Sequence, residues 1–489
     1  MQSKKKFKNA IIICPENKLW IEILKKLYKK KIFPKILFFT SSNFFNKKYF
    51  NIKPMDALSG NLNYSNSLPL DKSLIRYFNK HEPILMQMIS RHLENKFIYT
   101  YKERRQFIHD NIKYYNTLIK KNNISIFINA SEHHRIYDYI IFLLCDYYKI
   151  CSINPYYSLI PHLDFFRGIH LNKNINLQID EDWNSIKNYI TSFKKKVNKA
   201  LSQKVNFESS FSAKGGKNVY PYNFYNSTIF CAKKLISFYF YKFFNKKTNI
   251  IKLEKKLLSK SNFFLKELLT FLQLKKSFNW YKKNSLKSIR REKYYYMPLS
   301  SQPEATTVPG SKFYYEFSYI CQVLKSSFPK NCKLYIKEHP KTFNDYPLHN
   351  ASRSVDEYVY AKKVFKRIEY IDHEIDNQKL IEKSEGVICP CEGTSILEAT
   401  LKGKKVLVFG TTEFTKFSNV FNGFKTKEIR DFFVNKKIIN NQKIFNNDLK
   451  KLFLHSNNLN DYFKNMSLLR SNKKILKKKI SLISEKFVK

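Results

Sequence analysis

Cysteine pairs are almost absent from this sequence. Of its eight cysteines in 489 residues, only Cys389 and Cys391 lie close together, and no CxxC pair occurs. This pattern excludes a disulfide framework and a zinc site of the usual spacing. We therefore expect a chain that works in a reducing, cytoplasmic setting, and we expect no metal site.

Long apolar runs are also missing. Spanning a bilayer takes about 20 mostly apolar residues, and the nearest candidate, at 231–247, is interrupted by Lys233, Lys234 and Lys242. The basic N-terminus is followed by an apolar run of about five residues, whereas a signal peptide needs roughly 7 to 15. The sequence predicts a cytoplasmic protein and leaves open peripheral attachment at the inner face of the cell membrane.

Glycine and negative charge are both scarce. The chain has 10 glycines, and 89 Lys and Arg stand against 39 Asp and Glu, which gives a formal net charge of +50. Such a charge favours a polyanion or an anionic membrane surface as a partner. Residue drift in an AT-rich genome also produces many Lys, Asn, Ile, Phe and Tyr and needs no partner. Aromatic residues make up 16% of the chain, which indicates a folded protein.

Short apolar runs alternate with helical patterns in two parts of the chain. In the first part, strands are predicted at 10–14, 36–40, 124–128 and 150–153, and a buried helix at 136–148. In the second, strands are predicted at 294–298, 333–337, 369–371, 386–389 and 406–409. Alternation of this kind indicates parallel sheets covered by helices. The predicted fold class is therefore α/β, with two doubly wound Rossmann-type domains.

The predicted domains follow from these patterns. An N-terminal Rossmann-like domain covers 1–175, a basic helical linker or insertion covers 176–290, a C-terminal Rossmann-like domain covers 291–455, and a helical tail covers 456–489. After the strand at 294–298, a helix is predicted on which Phe313, Phe317, Ile320 and Leu324 share one face.

The most informative short stretch is LYIKEHP, at 334–340. It is a buried strand that ends on Lys337, Glu338, His339 and Pro340. Ligands of open α/β sheets bind outside the carboxyl ends of the strands. At such an end, the histidine could donate to a phosphate, the lysine could supply charge, and the proline ring could face a base. The alternative is a solvated surface corner.

A second stretch, CEGTSILEATLKGKKVLVFG, is a turn and a helix after the strand at 386–389. Glu392, Gly393, Thr394 and Ser395 occupy the turn, and the N–H groups of a helix N-terminus favour an anion. Glu398, one turn into the helix, could accept hydrogen bonds from a ribose. The alternative is an ordinary N-capped helix.

A third stretch, SSQPEATTVPG, is a polar loop that follows the strand at 294–298. Glu304 and Thr306 lie there, just before a predicted helix. We expect them to be possible members of the same cleft, and a surface loop is the alternative.

In this order and at these separations, QPEATT, LYIKEHP and CEGTSILEATLKGKKVLVFG resemble the capsule polysaccharide biosynthesis proteins, a group of GT-B glycosyltransferases related to bacterial Kdo transferases. The resemblance covers about residues 291–425. It implies two Rossmann-type domains facing a cleft, with the nucleotide held mainly by the C-terminal one. By position, the resemblance implies nucleotide contacts for His339 and Pro340, phosphate contacts for Thr394 and Ser395, and ribose or base contacts for Glu398 or Glu392.

The catalytic base must come from elsewhere. Related CMP-sugar transferases use an acidic pair followed by glycine, and no such triplet follows a strand of the N-terminal domain here. The nearest candidates are Glu132 and His133, after the strand at 124–128, with Asp138 a turn and a half later. Inverting transfer needs such a group within reach of the acceptor hydroxyl. The alternative is a polar helix start.

The first functional hypothesis is an inverting, metal-independent glycosyltransferase. We expect it to transfer a Kdo-like or sialic-acid-like sugar from a CMP-linked nucleotide donor, its co-substrate, without a further cofactor. The expected acceptor is a capsular or other surface polysaccharide or its lipid-linked precursor. A UDP-sugar 2-epimerase or UDP-sugar transferase is the second hypothesis. A non-catalytic basic nucleic-acid-binding protein is the third, although no RNP-like strand, zinc finger or helix-turn-helix pattern points to a specific nucleic-acid site.

Overall fold

The computed structural model describes residues 9–13, 35–39, 50–52, 56–57, 62–91, 100–129, 133–157, 164–170, 173–176, 263–300, 302, 304, 306–339, 341–344, 353–410, 412–434 and 448. The chain divides into two compact units, one built mainly from residues before 184 and one mainly from residues 184–451.

The N-terminal unit contains a seven-stranded sheet. Its strands are β1 (Asn9–Ile13), β2 (Lys35–Phe39), β3 (Phe50–Ile52), β4 (Ile124–Asn129), β5 (Cys151–Tyr157), β6 (Asp164–His170) and β7 (Lys173–Asn176). The helices described in this part of the chain are α1 (Lys72–Asn79), α2 (Glu82–Arg91), α3 (Tyr101–Lys121) and α4 (Ile136–Tyr147). The strand order is β3-β2-β1-β4-β5-β6-β7. The pairs from β3 to β5 are parallel, and β6 and β7 add antiparallel strands at one edge.

Apolar side chains fix these elements. From Ala10 to Ile13 every residue of β1 is buried, as expected for a central strand covered on both faces. Helix α3 begins with a capping box, in which Thr100 and Glu103 satisfy each other's backbone N–H groups. Most residues of α4 are buried, so this helix packs into the core rather than lying on the surface.

The C-terminal unit contains a second seven-stranded sheet, in which every pair of strands is parallel. Its strands are β8 (Ser285–Leu286), β9 (Tyr294–Pro298), β10 (Lys333–Lys337), β11 (Ile368–Ile371), β12 (Gly386–Cys389), β13 (Val406–Val408) and β14 (Val420–Asn422). Its helices are α5 (Phe263–Asn284), α6 (Phe317–Leu324), α7 (Lys341–Asn344), α8 (Val355–Val364), α9 (Asn377–Lys383), α10 (Thr394–Leu401) and α11 (Thr426–Val434). The strand order is β14-β13-β12-β9-β10-β11-β8.

Buried tyrosines support the core of this unit. Tyr281 of α5 donates from its hydroxyl to the carbonyl of Ile371 at 2.8 Å, and Tyr370 of β11 donates to the carbonyl of Tyr358 at 2.7 Å. Each ring fills apolar space while its hydroxyl is hydrogen-bonded, as a buried phenol requires. Helix α5 therefore packs with the C-terminal sheet, although the sequence placed its residues in the segment before that domain.

The structure confirms the predicted fold class, α/β with two doubly wound Rossmann-type domains. One detail is wrong: Phe313 does not share the buried face of Phe317, Ile320 and Leu324, because it is 53% exposed. A short 3-10 helix, Lys312–Tyr315, precedes α6 and the backbone is extended between them, so the helical spacing does not continue through this point.

Several predictions fall on other parts of the chain. Most of the segment 176–290 and the whole tail 456–489 lie outside the described residues, and the domain boundaries remain predictions. Among the helices that the structure describes, none combines the length and the apolar character needed to cross a bilayer.

Candidate functional site

The candidate site of the C-terminal unit lies at the carboxyl ends of three central strands. Strand β9 lies between β10 and β12, and the register pairs Lys337, at the end of β10, with Pro298, at the end of β9. The chain continues to one side of the sheet from β9 and to the other side from β12, so the strand order reverses between these two strands. Ligands of open α/β sheets bind at such a switch point. The three sequence motifs all follow these strands and therefore meet at one edge.

Ser300, the first residue of the stretch SSQPEATTVPG and not singled out by the sequence analysis, connects the loops. Its hydroxyl lies 2.8 Å from the sulfur of Cys391 in the turn after β12. Its carbonyl accepts from Nη2 of Arg353 at 3.2 Å. The preceding Leu299 donates its N–H to the carbonyl of Lys337 at 2.8 Å. The loop after β9 is thus joined both to β10 and to the turn after β12.

The two predicted cleft residues, Glu304 and Thr306, lie in this loop. The hydroxyl of Thr307 donates to the carbonyl of Glu304 at 2.8 Å, which closes a local turn. Burial raises the pKa of the Cys391 thiol to about 12, against the effect of its hydrogen bonds with Ser300 and Thr306. The thiol is therefore neutral and serves as a contact between loops, not as a nucleophile.

The turn after β12 leads into α10 without a side-chain cap. Gly393, at the N-cap, has an extended backbone and contributes no capping side chain. A Cβ added there would have no atom of the described residues within 4 Å, so among these residues the space beside it is open. Thr394 and Ser395 begin the helix and are half-buried. Amide groups at a helix N-terminus beside open space favour an anion.

The two glutamates of this motif are buried and hydrogen-bonded within the protein. Glu392 accepts from the hydroxyl of Thr412 at 2.7 Å, and Glu398 accepts from the amide of Gln378 at 3.0 Å. A Cβ at Gly410 would lie 2.9 Å from the Cα of Cys391, so the backbone after β13 passes directly against the turn. These contacts fix the position of the turn after β12.

The charged residues at the end of β10 have separate surroundings. Lys337 is buried, and its ammonium donates to the carbonyl of Ile375 and, at 2.8 Å, to the side chain of Asn377. His339 is half-buried, and its carbonyl accepts from the N–H of Thr342 at 2.9 Å. Pro340 lies outside the described residues. The lysine therefore connects β10 to the start of α9, while the histidine lies at the strand end.

Glu338, between the two, is the most constrained group at this edge. It is 1% exposed, and its carboxylate accepts from four donors: Arg353 at 2.7 Å, Tyr358 at 2.6 Å, Thr342 at 3.1 Å and the N–H of His339 at 2.8 Å. Burial acts to lower the pKa of Arg353. The charges of Glu338 and Glu357 act in the opposite direction and more strongly, so the pKa of Arg353 is raised overall. Neither Arg353 nor Tyr358 belongs to a motif, so only the fold reveals this cluster.

Glu357 is a second carboxylate beside the same arginine. Its Oε1 lies 3.7 Å from Nε of Arg353, and within the described part of the chain this oxygen has no hydrogen-bond partner. Burial raises the pKa of Glu357 to about 7; Arg353 acts in the opposite direction, and the charges of Glu316 and Glu338 add to the rise. Near neutral pH, the cluster therefore exists in two charge states.

This raised pKa predicts a pH-dependent stability. Between its ordinary value of 4.5 and about 7, Glu357 holds a proton in the folded chain that the unfolded chain has released. The stabilisation is complete below pH 4.5 and is lost as the pH rises through 7. Between about pH 5.5 and 8.5, we expect the free energy of unfolding of wild type to fall by about 1 kcal/mol relative to that of Glu357→Gln. The expected change is modest because 22% of the Glu357 side chain is exposed to solvent. Urea unfolding at several pH values measures it, and parallel curves would contradict it.

Asp372 and His373 follow β11 at the same edge and were not predicted. Nδ1 of His373 lies 3.2 Å from Oδ1 of Asp372. Burial lowers the pKa of His373, with Asp372 acting in the opposite direction, so the imidazole is neutral near pH 7. The ring packs edge-to-face on Phe278 and Phe343. His373 is therefore packed against aromatic side chains of the core next to the strand ends.

The N-terminal unit has its own polar cluster, at the carboxyl end of β4. Nδ1 of His133 lies 3.3 Å from the side-chain nitrogen of Asn129 and 3.8 Å from Oδ1 of Asp138. Oδ2 of Asp138 accepts the N–H groups of His134 and Arg135 at 3.1 Å. Asp138 is 1% exposed, and its Oδ1 has no hydrogen-bond partner among the residues that the structure describes.

The cluster has a defined place in the fold. Strand β4 pairs with β1, and the strand order of this sheet also reverses between them. The imidazole of His133 packs on Phe142 with ring centroids 4.5 Å apart. Glu132, the other predicted catalytic residue, lies outside the described residues. A positioned imidazole at a switch point can accept a proton from a bound hydroxyl group.

Both units are thus α/β sheets with polar groups gathered at their switch points, the arrangement of a ligand-binding Rossmann-type protein. Residues 225–462 match the model of a family described as capsule polysaccharide biosynthesis protein. The match confirms the resemblance carried by the three motifs and places the entire C-terminal candidate site inside the family region. No curated protein sequence matches the chain.

Three solved structures illustrate the likeness to known proteins, each at a low TM-score. A β-Kdo 2,7-transferase of Thermosulfurimonas dismutans shares 10% identity at a TM-score of 0.27, with 79% of this chain and 87% of that chain covered. A glycosyltransferase of Rickettsia africae shares 11% identity at a TM-score of 0.26, covering 96% and 99%. The S. aureus MnaA–UDP structure shares 10% at a TM-score of 0.23, covering 95% and 97%. Scores this low support no inference about the site.

Proposed function

We propose that the protein is a glycosyltransferase that transfers a sugar from a CMP-linked donor, Kdo-like or sialic-acid-like, to a capsular or other surface polysaccharide or its lipid-linked precursor. The observation that carries the proposal is the meeting of three polar loops at the switch point of the C-terminal sheet, within the residues that match the capsule family. The proposed transfer is inverting and metal-independent.

In this proposal, the C-terminal unit holds the donor nucleotide. The amides of the uncapped start of α10, with the hydroxyls of Thr394 and Ser395, bind the phosphate. His339 and Pro340, at the neighbouring strand end, contact the nucleoside. The hydrogen bonds of Glu392 and Glu398 to protein groups favour a supporting role for these two carboxylates, behind the turn.

The N-terminal unit supplies the base. His133 accepts the proton of the acceptor hydroxyl as the glycosidic bond forms and the nucleotide leaves, and Glu132 is the other candidate for this role. The formal charge of +50 gives the chain an attraction for anionic glycans and for the headgroups of an anionic membrane surface. Such an attraction weakens as salt is added.

Nucleotide binding tests the proposal directly. We expect CMP, at about 100 times its Kd, to stabilise wild type by about 2.7 kcal/mol, seen as a higher melting temperature at fixed salt. His339→Ala should lose most of this shift, because it removes a side chain that contacts the nucleoside. His134→Ala, which truncates an exposed histidine of the other unit, is the matched control and should respond as wild type does.

Other outcomes separate the alternatives. A shift with UDP and none with CMP would replace the donor with a UDP-sugar and favour an epimerase or a UDP-sugar transferase. Binding of nucleic acid that decays smoothly with salt, and that neither nucleotide displaces, would indicate a non-catalytic basic protein. If neither nucleotide shifts the melting temperature, the proposed function is overturned.

A further inference from the structure

The carboxylate of Glu338 is buried at the end of β10. Burying a charged side chain costs more free energy than burying an apolar one. Its side chain is fully buried, and that of its partner Arg353 is 2% exposed. A buried ion pair commonly gives no net stability compared with apolar residues of the same size. A function of the pair beyond stability is therefore worth seeking in the groups that it contacts.

The pair fixes the backbone around His339. The N–H of His339 donates to the Glu338 carboxylate at 2.8 Å, while the carbonyl of His339 accepts from the N–H of Thr342 at 2.9 Å. Both polar groups of this residue's backbone are thus satisfied. The same carboxylate accepts from the hydroxyl of Thr342 at 3.1 Å, which ties the strand end to α7.

The pair also sets the distance between two loops. Arg353 donates through Nη1 to both carboxylate oxygens of Glu338, at 2.7 and 2.9 Å, and through Nη2 to the carbonyl of Ser300 at 3.2 Å. One rigid guanidinium therefore joins the ends of β9 and β10, since its planar donors have fixed directions. Tyr358 of α8 completes the cluster with a 2.6 Å hydrogen bond to Glu338.

We propose that Glu338 and Arg353 are positioning residues, which hold the backbone of His339 in the geometry that binds the donor nucleotide. The inference rests on the proposed function, because it assigns the cluster to the same nucleotide site. It does not require Glu338 or Arg353 to touch the ligand. Their effect on binding passes through His339.

Two buried tyrosines make the test specific. Tyr358→Phe removes a donor to Glu338 and keeps the ring, whereas Tyr370→Phe removes a hydroxyl that donates to a backbone carbonyl in the same core. Hydrogen bonds to charged groups contribute more than neutral ones, so we expect Tyr358→Phe to raise the Kd of CMP about three- to ten-fold. Tyr370→Phe should change it by less than about two-fold. Both are measured by calorimetry at one salt concentration.

A double-mutant cycle with His339→Ala separates positioning from a general structural effect. If Tyr358 acts through His339, Tyr358→Phe should leave the Kd unchanged in the His339→Ala background. Should Tyr358→Phe fail to fold, Thr342→Val removes another donor to Glu338 and enters the same cycle. Additive effects, or equal effects of the two tyrosine substitutions, would overturn the inference alone. Absence of binding of CMP and UDP to wild type would overturn the proposed function and the inference with it.

Discussion

Replacing Arg353 with methionine is expected to destabilise the C-terminal unit by about 3–5 kcal/mol. The substitution keeps a long side chain but removes the only cation among the four donors to the buried Glu338 carboxylate. The charge of Glu338 then remains buried without a cation beside it. This free-energy penalty exceeds the net stabilisation that the intact ion pair contributes. Urea unfolding followed by tryptophan fluorescence measures the change.

Lys287→Met provides the matched control. Lys287 approaches Asp372 to 2.8 Å, close to the 2.7 Å of the Arg353–Glu338 contact, but 57% of its side chain is exposed. Ion pairs at the surface contribute about 0–1 kcal/mol because water and salt screen them. If the two methionine variants lost equal stability, burial would not be the reason for the strength of the Arg353 contact.

Replacing His133 with glutamine is expected to lower the rate of transfer by about 10²- to 10⁴-fold, the usual contribution of a general base. Glutamine keeps hydrogen-bonding capacity near Asn129 and Asp138 but cannot take up the proton of the acceptor hydroxyl. The Kd of CMP should not change, because the proposed nucleotide site is built from the C-terminal unit. The rate is measured as CMP release from CMP-Kdo and CMP-sialic acid with a panel of glycolipid acceptors.

His134→Gln makes the same chemical change one residue later and is the control. His134 is exposed, and its backbone N–H donates to the carboxylate of Asp138 at 3.1 Å. We expect this variant to keep the wild-type rate. If His133→Gln also kept that rate, the proton would pass to another group, and Glu132→Gln would then be the variant to measure.

The sequence predicted the strands of the fold well, for a physical reason. Strands β9, β10 and β12 have the predicted bounds, because the interior residues of a parallel strand covered on both faces form an apolar run that is visible in the sequence. The run before α6 was misread, since the spacing of Phe313 fits a helix that the extended backbone at Glu316 interrupts. Local torsion angles of this kind leave little trace in hydrophobic periodicity.

The candidate site was only partly visible in the sequence. His339, Thr394 and Ser395 stand in motifs, and a motif at a strand end can be recognised before the fold is known. Arg353 lies 15 residues beyond Glu338, and Ser300 lies 91 residues before Cys391. Such contacts depend on how strands are ordered in the sheet, which one sequence does not reveal. The roles of the predicted site residues in binding and catalysis remain predictions.

The strand orders of the two sheets have a further consequence. Counting from β1 in one and from β9 in the other, both sheets run third, second, first, fourth, fifth. His133 follows the fourth strand of the first sheet, and Gly393 follows the fourth strand of the second. The two described sheets thus repeat one strand order. Its two candidate sites occupy equivalent places in one topology, so each half can be compared with the other position by position.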